Sequence, residues 1–297
     1  MTVPARLLGR RVVAVDDLTR PWATAVRTSR VTLEDGLVVV HQAGLPTMAG
    51  RAGIARRIRL GRALAAAAPA LAVPRVLDAD PAADPPFVLL AHAAGVTGGE
   101  LLATPDGAPT IGRIAGETAR AIAAVPVAAL GPGLPRRWVD TPRLSAAARR
   151  WLDEARAHLS PAEVAAVSGV VTRIPGLLAD RPALAHGDLA PVNLVVSGER
   201  LAGLLDLERL RLAPLLFDAA WFRLMVRHHH PERWPDAGAA FMEAAGLGVE
   251  LPLLRQLDDL AVLACLEQLA GLPRRSPARA AWAARAREVL RRELPGP

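Results

Sequence analysis

The sequence contains no lysine, so all 36 of its Lys and Arg positions are arginines. With 29 acidic residues, the formal net charge is +7. An excess of positive charge can indicate a nucleic-acid binder, but here neither a dense basic run nor an aromatic-rich strand accompanies it. A codon bias that replaces Lys by Arg produces the same composition. We therefore expect no nucleic-acid partner.

Cysteine and long apolar runs are also scarce. The single cysteine, Cys265, excludes an internal disulfide and fits a reducing compartment. The most apolar stretch, residues 63–73, is interrupted by Pro69, and Asp16 and Asp17 end the first apolar segment too early for a signal peptide. These features predict a cytoplasmic protein, a monomer or dimer, that does not bind membranes.

The first 90 residues have the pattern of a small β-rich unit. Alternating or continuous apolar runs bounded by turn residues predict strands, and an Ala-, Leu- and Arg-rich stretch predicts one helix. The predicted strands are residues 12–15, 25–33, 37–40, 73–77 and 87–90, and the predicted helix is 51–68. Residues 78–86 are then a loop.

The remainder is predicted to be mostly helical. Residues 91–99 are small and Gly-containing, as in a flexible hinge. Helical patterns follow over 111–158, interrupted by a loop at 126–142, and then over 161–178, 217–226, 237–245, 253–269 and 277–294. The expected fold class is α+β.

Residues 183–210 hold the most informative pattern. Two apolar runs, 194–196 and 201–207, flank Ser197-Gly198-Glu199-Arg200, which predicts a β-hairpin. Polar residues precede the first strand and end the second, so the hairpin is expected to bring them together; they are His186, Asp188, Asn193, Asp206 and Glu208. Oxygen-bearing side chains of this kind hold Mg²⁺ or accept a proton from a hydroxyl. Taken singly, each could equally be a turn or cap residue.

The combination His186-Gly187-Asp188, then Asn193, then Asp206-Leu207-Glu208 resembles the catalytic core of the aminoglycoside phosphotransferase and choline kinase family. The five-residue spacing from Asp188 to Asn193 is the one found in protein kinases. This resemblance implies a protein-kinase-like fold of two lobes. The small nucleotide-binding lobe would be residues 1–92, and the large catalytic and acceptor-binding lobe would be residues 93–297.

The resemblance also implies a role for each polar residue. Asp188 would orient the acceptor hydroxyl or accept its proton, and His186 would support the loop. Asn193 and Asp206 would hold Mg²⁺, with Glu208 as a further carboxylate at the metal. Asp218 matches a position at which the family carries an aspartate that braces the catalytic loop.

The nucleotide, ATP or GTP, would lie against the small lobe. The adenine would bond to the backbone at Ala91, His92 and Ala93. His41 ends the strand on which the family carries a Lys or Arg that grips the phosphates. Here the sequence departs from the family, because helix 51–68 has no acidic residue and the phosphate-covering turn, residues 19–24, has no glycine. Four arginines are candidates for the missing charge: Arg27, Arg30, Arg57 and Arg59.

Two functions therefore remain open. The first is a kinase that transfers the γ-phosphate to a hydroxyl of a small molecule such as an antibiotic, an amino-alcohol, a sugar or a biosynthetic intermediate. The second is a nucleotide- or metabolite-binding regulatory protein with little or no transfer activity. The residues after 251 carry no acidic excess, so a polycationic aminoglycoside is a less favoured acceptor than a neutral or acidic metabolite.

Overall fold

The computed structural model describes residues 3–19, 26–178, 182–248, 250–270, 284 and 286–292. These residues form an α+β fold, in which a curled antiparallel sheet is followed by a mainly helical region. The fold class expected from the sequence is therefore confirmed.

The N-terminal sheet has six antiparallel strands in the order β1-β2-β3-β4-β6-β5. The strands are β1 (Arg6–Leu7), β2 (Arg10–Asp17), β3 (Val26–Leu33), β4 (Val38–Gly44), β5 (Val76–Asp80) and β6 (Phe87–Ala91). Strand β1 was not predicted, since two residues are too few to show an alternating pattern. Strand β5 lies three residues later than expected and continues into the predicted loop, because Asp80 pairs with Phe87 of β6.

Helix α1 (Met48–Ala67) packs on one face of this sheet. Its Ile54 and Ile58 form an apolar cluster with Val88 of β6. The side chain of Thr47 caps the helix by accepting a hydrogen bond from the amide of Gly50. Helix α1 thus lies between the sheet and the loop that follows the predicted hairpin, a placement that brings its arginines toward residues 206–210.

The segment predicted as a flexible hinge contains regular structure. Strand β7 (Val96–Thr97) pairs with the first strand of the hairpin, and α2 (Gly98–Leu102) begins directly after it. Thr97 and Glu100 form a capping box, each side chain accepting a hydrogen bond from the other residue's amide. The expectation of a flexible linker was therefore wrong for its second half.

The helical region surrounds a single large apolar core. Its helices are α3 (Gly107–Ala123), α4 (Thr141–Ala155), α5 (Pro161–Leu177), α6 (Phe217–His229), α7 (Trp234–Ala245) and α8 (Leu251–Ala270). Each agrees with a predicted helix to within four residues at either end. Most of the last predicted helix, 277–294, lies outside the described residues, although 286–292 are helical. Among the described residues, every helix is too short or too polar to cross a bilayer.

Two short antiparallel pairings position the central stretch. Strand β8 (Ala183–Ala185) pairs with β11 (Arg211–Ala213), while β9 (Leu194–Ser197) and β10 (Arg200–Leu204) form the predicted hairpin. The second hairpin strand ends at Leu204 rather than at 207, and Leu207–Arg209 form a 3-10 turn. The polar residues therefore follow the strands on irregular backbone, held in place by the two pairings.

Candidate active site

Residues 186–188 follow directly on β8, and the backbone there has room for glycine alone. Gly187 has a φ of +79°, in the left-handed region. A Cβ at this position would lie 2.2 Å from the carbonyl oxygen of Arg209 and 2.7 Å from Nε of Arg211. The close approach is possible because β8 and β11 pair immediately beside it.

Asp218, in the first turn of α6, binds this loop through both carboxylate oxygens. Oδ2 accepts a hydrogen bond from the amide of His186 at 2.7 Å, and Oδ1 accepts one from the amide of Gly187 at 3.0 Å. Burial raises the pKa of Asp218, while the neighbouring His186 and these two amides act in the opposite direction. Two buried amides that the loop could not otherwise satisfy thus have acceptors.

His186 is fully buried and joins the loop to the end of the hairpin. Its Nδ1 accepts a hydrogen bond from the amide of Asp188 at 3.3 Å, and Nε2 lies 2.9 Å from the carbonyl oxygen of Leu205. With Nδ1 as acceptor, the proton is assigned to Nε2, which then donates to Leu205. His186 therefore links Asp188 to the residue immediately before Asp206.

Asn193 adds a second link among the same residues. Its side-chain nitrogen donates to the carbonyl oxygen of Asp188 at 2.8 Å, and its own carbonyl accepts from the amide of Leu205 at 2.8 Å. With its nitrogen so engaged, Asn193 presents Oδ1 as an acceptor. Hydrogen bonds therefore join Asp188 and Asn193 to Leu205, the residue immediately before Asp206, so that the three segments form one hydrogen-bonded group.

The Asp188 carboxylate has a partner that the sequence did not indicate. The indole Nε1–H of Trp221 donates a hydrogen bond to Oδ1 of Asp188 at 2.8 Å. Burial raises the pKa of Asp188, the guanidinium of Arg209 lowers it, and the charge of Asp206 raises it further. Trp221 lies in an apolar helical pattern, which predicts a packing residue and carries no signal of this contact.

Asp206 and Glu208, the carboxylate pair, converge on a cation from helix α1. Arg57 of α1 donates through NH1 to Oδ1 of Asp206 at 3.2 Å and through NH2 to Oε2 of Glu208. Asp206 itself has a φ of +59°, unusual for a residue other than glycine. No sequence pattern singled out Arg57 from the other three candidate arginines.

The donor set suits Mg²⁺ chemically. Asn193, Asp206 and Glu208 offer only oxygen ligands, which Mg²⁺ prefers, and the Oδ1 of Asn193 is not used by the hydrogen bond to Asp188. Within the described part of the chain, however, no three His, Cys, Asp or Glu side chains lie close enough together to form a metal site by themselves. The amide oxygen of Asn193 would have to complete the set.

The residues predicted to contact the nucleotide lie on two neighbouring strands and on the segment that follows one of them. Ala91 ends β6 and pairs with Val39 of β4, and Ala93 touches the hairpin, since a Cβ on Gly203 would lie 2.4 Å from the Ala93 Cβ. The pKa of His92 is lowered, first by partial burial and then by Arg30. That these residues bind adenine stays a prediction.

His41 lies on β4 with only 5% of its surface exposed, and its ring stacks on that of Phe87 at 5.9 Å. Burial lowers its pKa, so His41 is neutral near pH 7. A neutral imidazole does not replace the charge of a phosphate-gripping lysine. Residues 20–24 of the predicted phosphate-covering turn lie outside the described residues.

Of the other candidate cations, two already have partners elsewhere. Arg30 bonds to Asp16 at 3.0 Å, and Arg59 donates to the carbonyl oxygen of Leu130 at 2.8 Å. Arg27 lies on β3; the pKa of the exposed Asp17 carboxyl is lowered first by its hydrogen bonds with Thr19 and last by the charge of Arg27. Arg57 is thus the candidate that the structure brings to the residues of the predicted site.

The carboxylates of α8 are paired with arginines from the elements around them. Asp258 lies 2.6 Å from Arg223 of α6, and Asp259 lies 2.6 Å from Arg173 of α5. Glu267 lies 3.3 Å from Arg137, in the turn before α4, and 3.5 Å from Arg211 of β11. Their negative charge is therefore largely neutralised within the chain.

Comparison with known proteins agrees with this fold. The model of the "Phosphotransferase enzyme family" matches residues 24–260. The fold is similar to that of APH(2")-IIia in its GDP and kanamycin complex, with a TM-score of 0.66 and 18% identity over 95% of this chain and 93% of the other. No curated protein matches the chain.

Two further solved structures have the same fold. Macrolide 2'-phosphotransferase MphH from Brachybacterium faecium gives a TM-score of 0.61 and 20% identity, covering 97% of this chain and 95% of that one. A choline/ethanolamine kinase family protein from Mesorhizobium loti gives a TM-score of 0.67 and 16% identity, covering 96% and 89%. At these identities the comparison establishes the fold, and the resemblance noted in the sequence is confirmed.

Proposed function

Because the chain belongs to the phosphotransferase enzyme family, we propose that it transfers the γ-phosphate of ATP or GTP to a hydroxyl group of a small molecule. The observation that carries this proposal is the bonded group in which His186 and Asn193 link Asp188 to the backbone beside Asp206. Such a group places a proton acceptor next to oxygen ligands for a metal, which is the arrangement that phosphoryl transfer requires.

In this reaction Asp188 is the group that touches the acceptor. Its carboxylate accepts the hydroxyl proton as the new O–P bond forms and the bond from the γ-phosphorus to the β-phosphate oxygen breaks, which leaves a nucleoside diphosphate. Asn193, Asp206 and Glu208 would hold Mg²⁺, which neutralises charge on the phosphates. Trp221 and Arg209 stabilise the ionised form of Asp188 against the effect of burial.

Asp218 and His186 act through the loop rather than on the substrate. Asp218 holds the amides of residues 186 and 187, and His186 holds that of residue 188, so the Asp188 carboxylate is fixed in direction before an acceptor binds. Positioning of this kind accounts for much of the rate enhancement in phosphoryl transfer.

For the nucleotide, we propose a position against the backbone of Ala91, His92 and Ala93, with His41 nearby on the adjacent strand. Ala91 and His41 lie on the paired strands β6 and β4, and Ala93 touches Gly203 of the hairpin. A nucleotide there would lie between the sheet and the residues that follow the hairpin.

The acceptor class follows from the charge of the large lobe. A polycationic aminoglycoside requires carboxylates with free charge, and those on α8 are paired with arginines. We therefore propose a neutral or acidic hydroxyl compound, in contrast to the kanamycin bound in one structure of the same fold.

The test is nucleotide binding followed by transfer. Saturating Mg-ATP or Mg-GTP at 100 times Kd should stabilise the protein by about 2.7 kcal/mol, which is read as a rise in melting temperature. Asp206→Asn should abolish the rise. Transfer of labelled γ-phosphate to a panel of neutral, acidic and cationic hydroxyl compounds then identifies the acceptor class. If no nucleotide changes the melting temperature, the kinase proposal is wrong.

A second function is favoured by one observation, the occupation of the carboxylate pair by Arg57 in a chain that has no lysine. The chain would then be a regulatory protein that binds a nucleotide or metabolite without transferring phosphate. The two functions differ in one outcome. A rise in melting temperature with nucleotide, but no transfer to any acceptor and no nucleotide hydrolysis, supports the regulatory function.

A further inference from the structure

Arg57 connects two parts of the chain that are far apart in sequence. It lies in the third turn of α1, and its partner Asp206 is 149 residues further on. Only 15% of its side chain is exposed, against 36% for Asp206 and 41% for Glu208. The guanidinium is thus the more buried member of this contact, and it covers the carboxylates from the side of the small lobe.

A cation is needed at this place when no metal is bound. Asp206 and Glu208 lie close enough together for one guanidinium to bond to both side chains. Two carboxylates at such a separation repel when both are ionised. Arg57 supplies the compensating charge in the structure described.

Arg57 and a divalent metal compete for the same oxygen atoms in this arrangement. Mg²⁺ binds carboxylate oxygens at about 2.0–2.1 Å and requires near-octahedral geometry. The guanidinium already donates to Oδ1 of Asp206 at 3.2 Å and to Oε2 of Glu208. A metal that binds these two atoms therefore competes with the guanidinium for them, and repulsion between the two cations favours movement of the guanidinium away from the pair.

The contact of Arg57 is also incomplete. Its Nε is buried, and among the described residues it has no hydrogen-bond partner. A buried donor without an acceptor costs about 1–3 kcal/mol. A second position that offers this nitrogen an acceptor oxygen would therefore be favourable.

The neighbouring Arg56 allows such a movement without displacement of the helix. Arg56 donates to the backbone carbonyls of Glu208, Gly133 and Leu210 at 3.1, 3.3 and 3.2 Å. These bonds fix α1 to the backbone after Asp206 and to the loop between α3 and α4. Arg57, by contrast, holds only side-chain oxygens, so its side chain can change partners while α1 stays in place.

From these observations we infer that Arg57 is a positioning residue with two partners: it covers the carboxylate pair when no metal is bound, and it turns to the phosphates of the nucleotide when a divalent metal takes the pair. The inference rests on the proposed function for the identity of the second partner. A guanidinium is suited to both, since its planar donors match carboxylate and phosphate alike. In the second position, Arg57 would supply the positive charge at the phosphates that a lysine supplies in other kinase-like enzymes.

The experiment measures metal binding without nucleotide, by the electron paramagnetic resonance signal of free Mn²⁺ in a titration of the full chain. We compare wild type with Arg57→Met, which keeps the apolar stem, and with Arg62→Met, a control at an exposed position on the same helix. Removal of Arg57 should tighten Mn²⁺ binding about 10-fold, within the range usual for coupled binding equilibria. Arg62→Met should bind Mn²⁺ as wild type does.

The second measurement is calorimetric binding of Mg-ATP or Mg-GTP to the same three proteins. Arg57→Met should bind the Mg-nucleotide more weakly than wild type. The substitution is thus expected to raise the affinity for the metal alone and to lower the affinity for the metal with nucleotide. The inference is overturned if Arg57→Met binds Mn²⁺ no more tightly than wild type, or if it binds Mg-nucleotide equally well.

A folding defect is detected by the melting temperature of each variant without ligand, and Arg57→Gln replaces Arg57→Met if the latter is not folded at the temperature of the titration. Failure of the proposed function gives a different result. In that case wild type transfers no phosphate to any acceptor, while the gain in Mn²⁺ affinity on removal of Arg57 is unaffected.

Discussion

The indole nitrogen of Trp221 lies 2.8 Å from Oδ1 of Asp188, so a buried ring on α6 donates a hydrogen bond to the proposed proton acceptor. This bond limits rotation of the carboxylate and favours its ionised form. Because Trp221 is 33 residues from Asp188, the contact depends on how α6 packs beneath the loop.

Trp221→Phe should lower kcat with a modest effect on folding. The substitution keeps a ring but removes the donor, and a hydrogen bond to a charged group contributes about 1.5–3 kcal/mol, equivalent to about 10–100-fold in rate. Steady-state kinetics with the identified acceptor measure the effect. Trp138→Phe is the control, because the Nε1 of Trp138 is buried without a partner among the described residues. Equal kcat losses in both variants would contradict a specific role for Trp221.

Arg209→Met should move the acid limb of kcat/KM to higher pH. Burial raises the pKa of Asp188, and Arg209 is the strongest group acting to lower it, so removing this guanidinium lets the pKa rise further. A base with a higher pKa is protonated, and therefore inactive, at a pH where the wild type still works. The pH profile of kcat/KM measures the limb; a shift to lower pH would contradict the assignment of Asp188 as the base.

Gly187→Ala should destabilise the protein more than Gly198→Ala. Both glycines have positive φ, +79° and +59°, so each substitution introduces left-handed strain of about 1–2 kcal/mol. Only at Gly187 would the new Cβ also collide with backbone, 2.2 Å from the Arg209 carbonyl oxygen, whereas the hairpin turn at Gly198 is open. Urea unfolding measures the difference, which we expect to exceed about 2 kcal/mol. Similar losses would show that the loop can move away from Arg209.

His41→Gln should make stability less dependent on pH below about 6.5, the ordinary pKa of histidine. Burial lowers the pKa of His41 in the folded state, so the unfolded chain binds a proton more readily. The wild type therefore loses stability as the pH falls from the unfolded pKa through the folded one. Glutamine does not titrate, so the variant lacks this loss. As the pH falls, the free energy of unfolding of the wild type should therefore decrease relative to that of the variant. A constant difference from pH 8 to pH 5 would contradict this.

The features that the sequence predicts well are those with local causes. The hairpin follows from two apolar runs around Gly198, and the close relation of Asp188 to Asn193 follows from the short loop of four residues between them. Apart from α2, the helices from α1 to α8 were predicted within four residues at either end, because each has an apolar pattern of its own.

The features that it does not predict depend on distant partners. Arg57 has the same sequence environment as the other arginines of α1, and only the packing of that helix against residues 206–210 distinguishes it. Strand β7 was missed for a similar reason, since a two-residue strand is defined by the hairpin beside it. In each case the information lies in a contact that connects separate segments.

Because Asp206 has a left-handed backbone conformation, the presence of an aspartate at this position is a poor marker of activity. Apart from glycine, aspartate and asparagine are the residues that adopt this conformation most readily. Selection for the fold alone would therefore favour a short polar residue at position 206, even in a related chain that does not transfer phosphate. Asp188 has no such backbone requirement, so a substitution there in related chains is the better marker of lost catalysis.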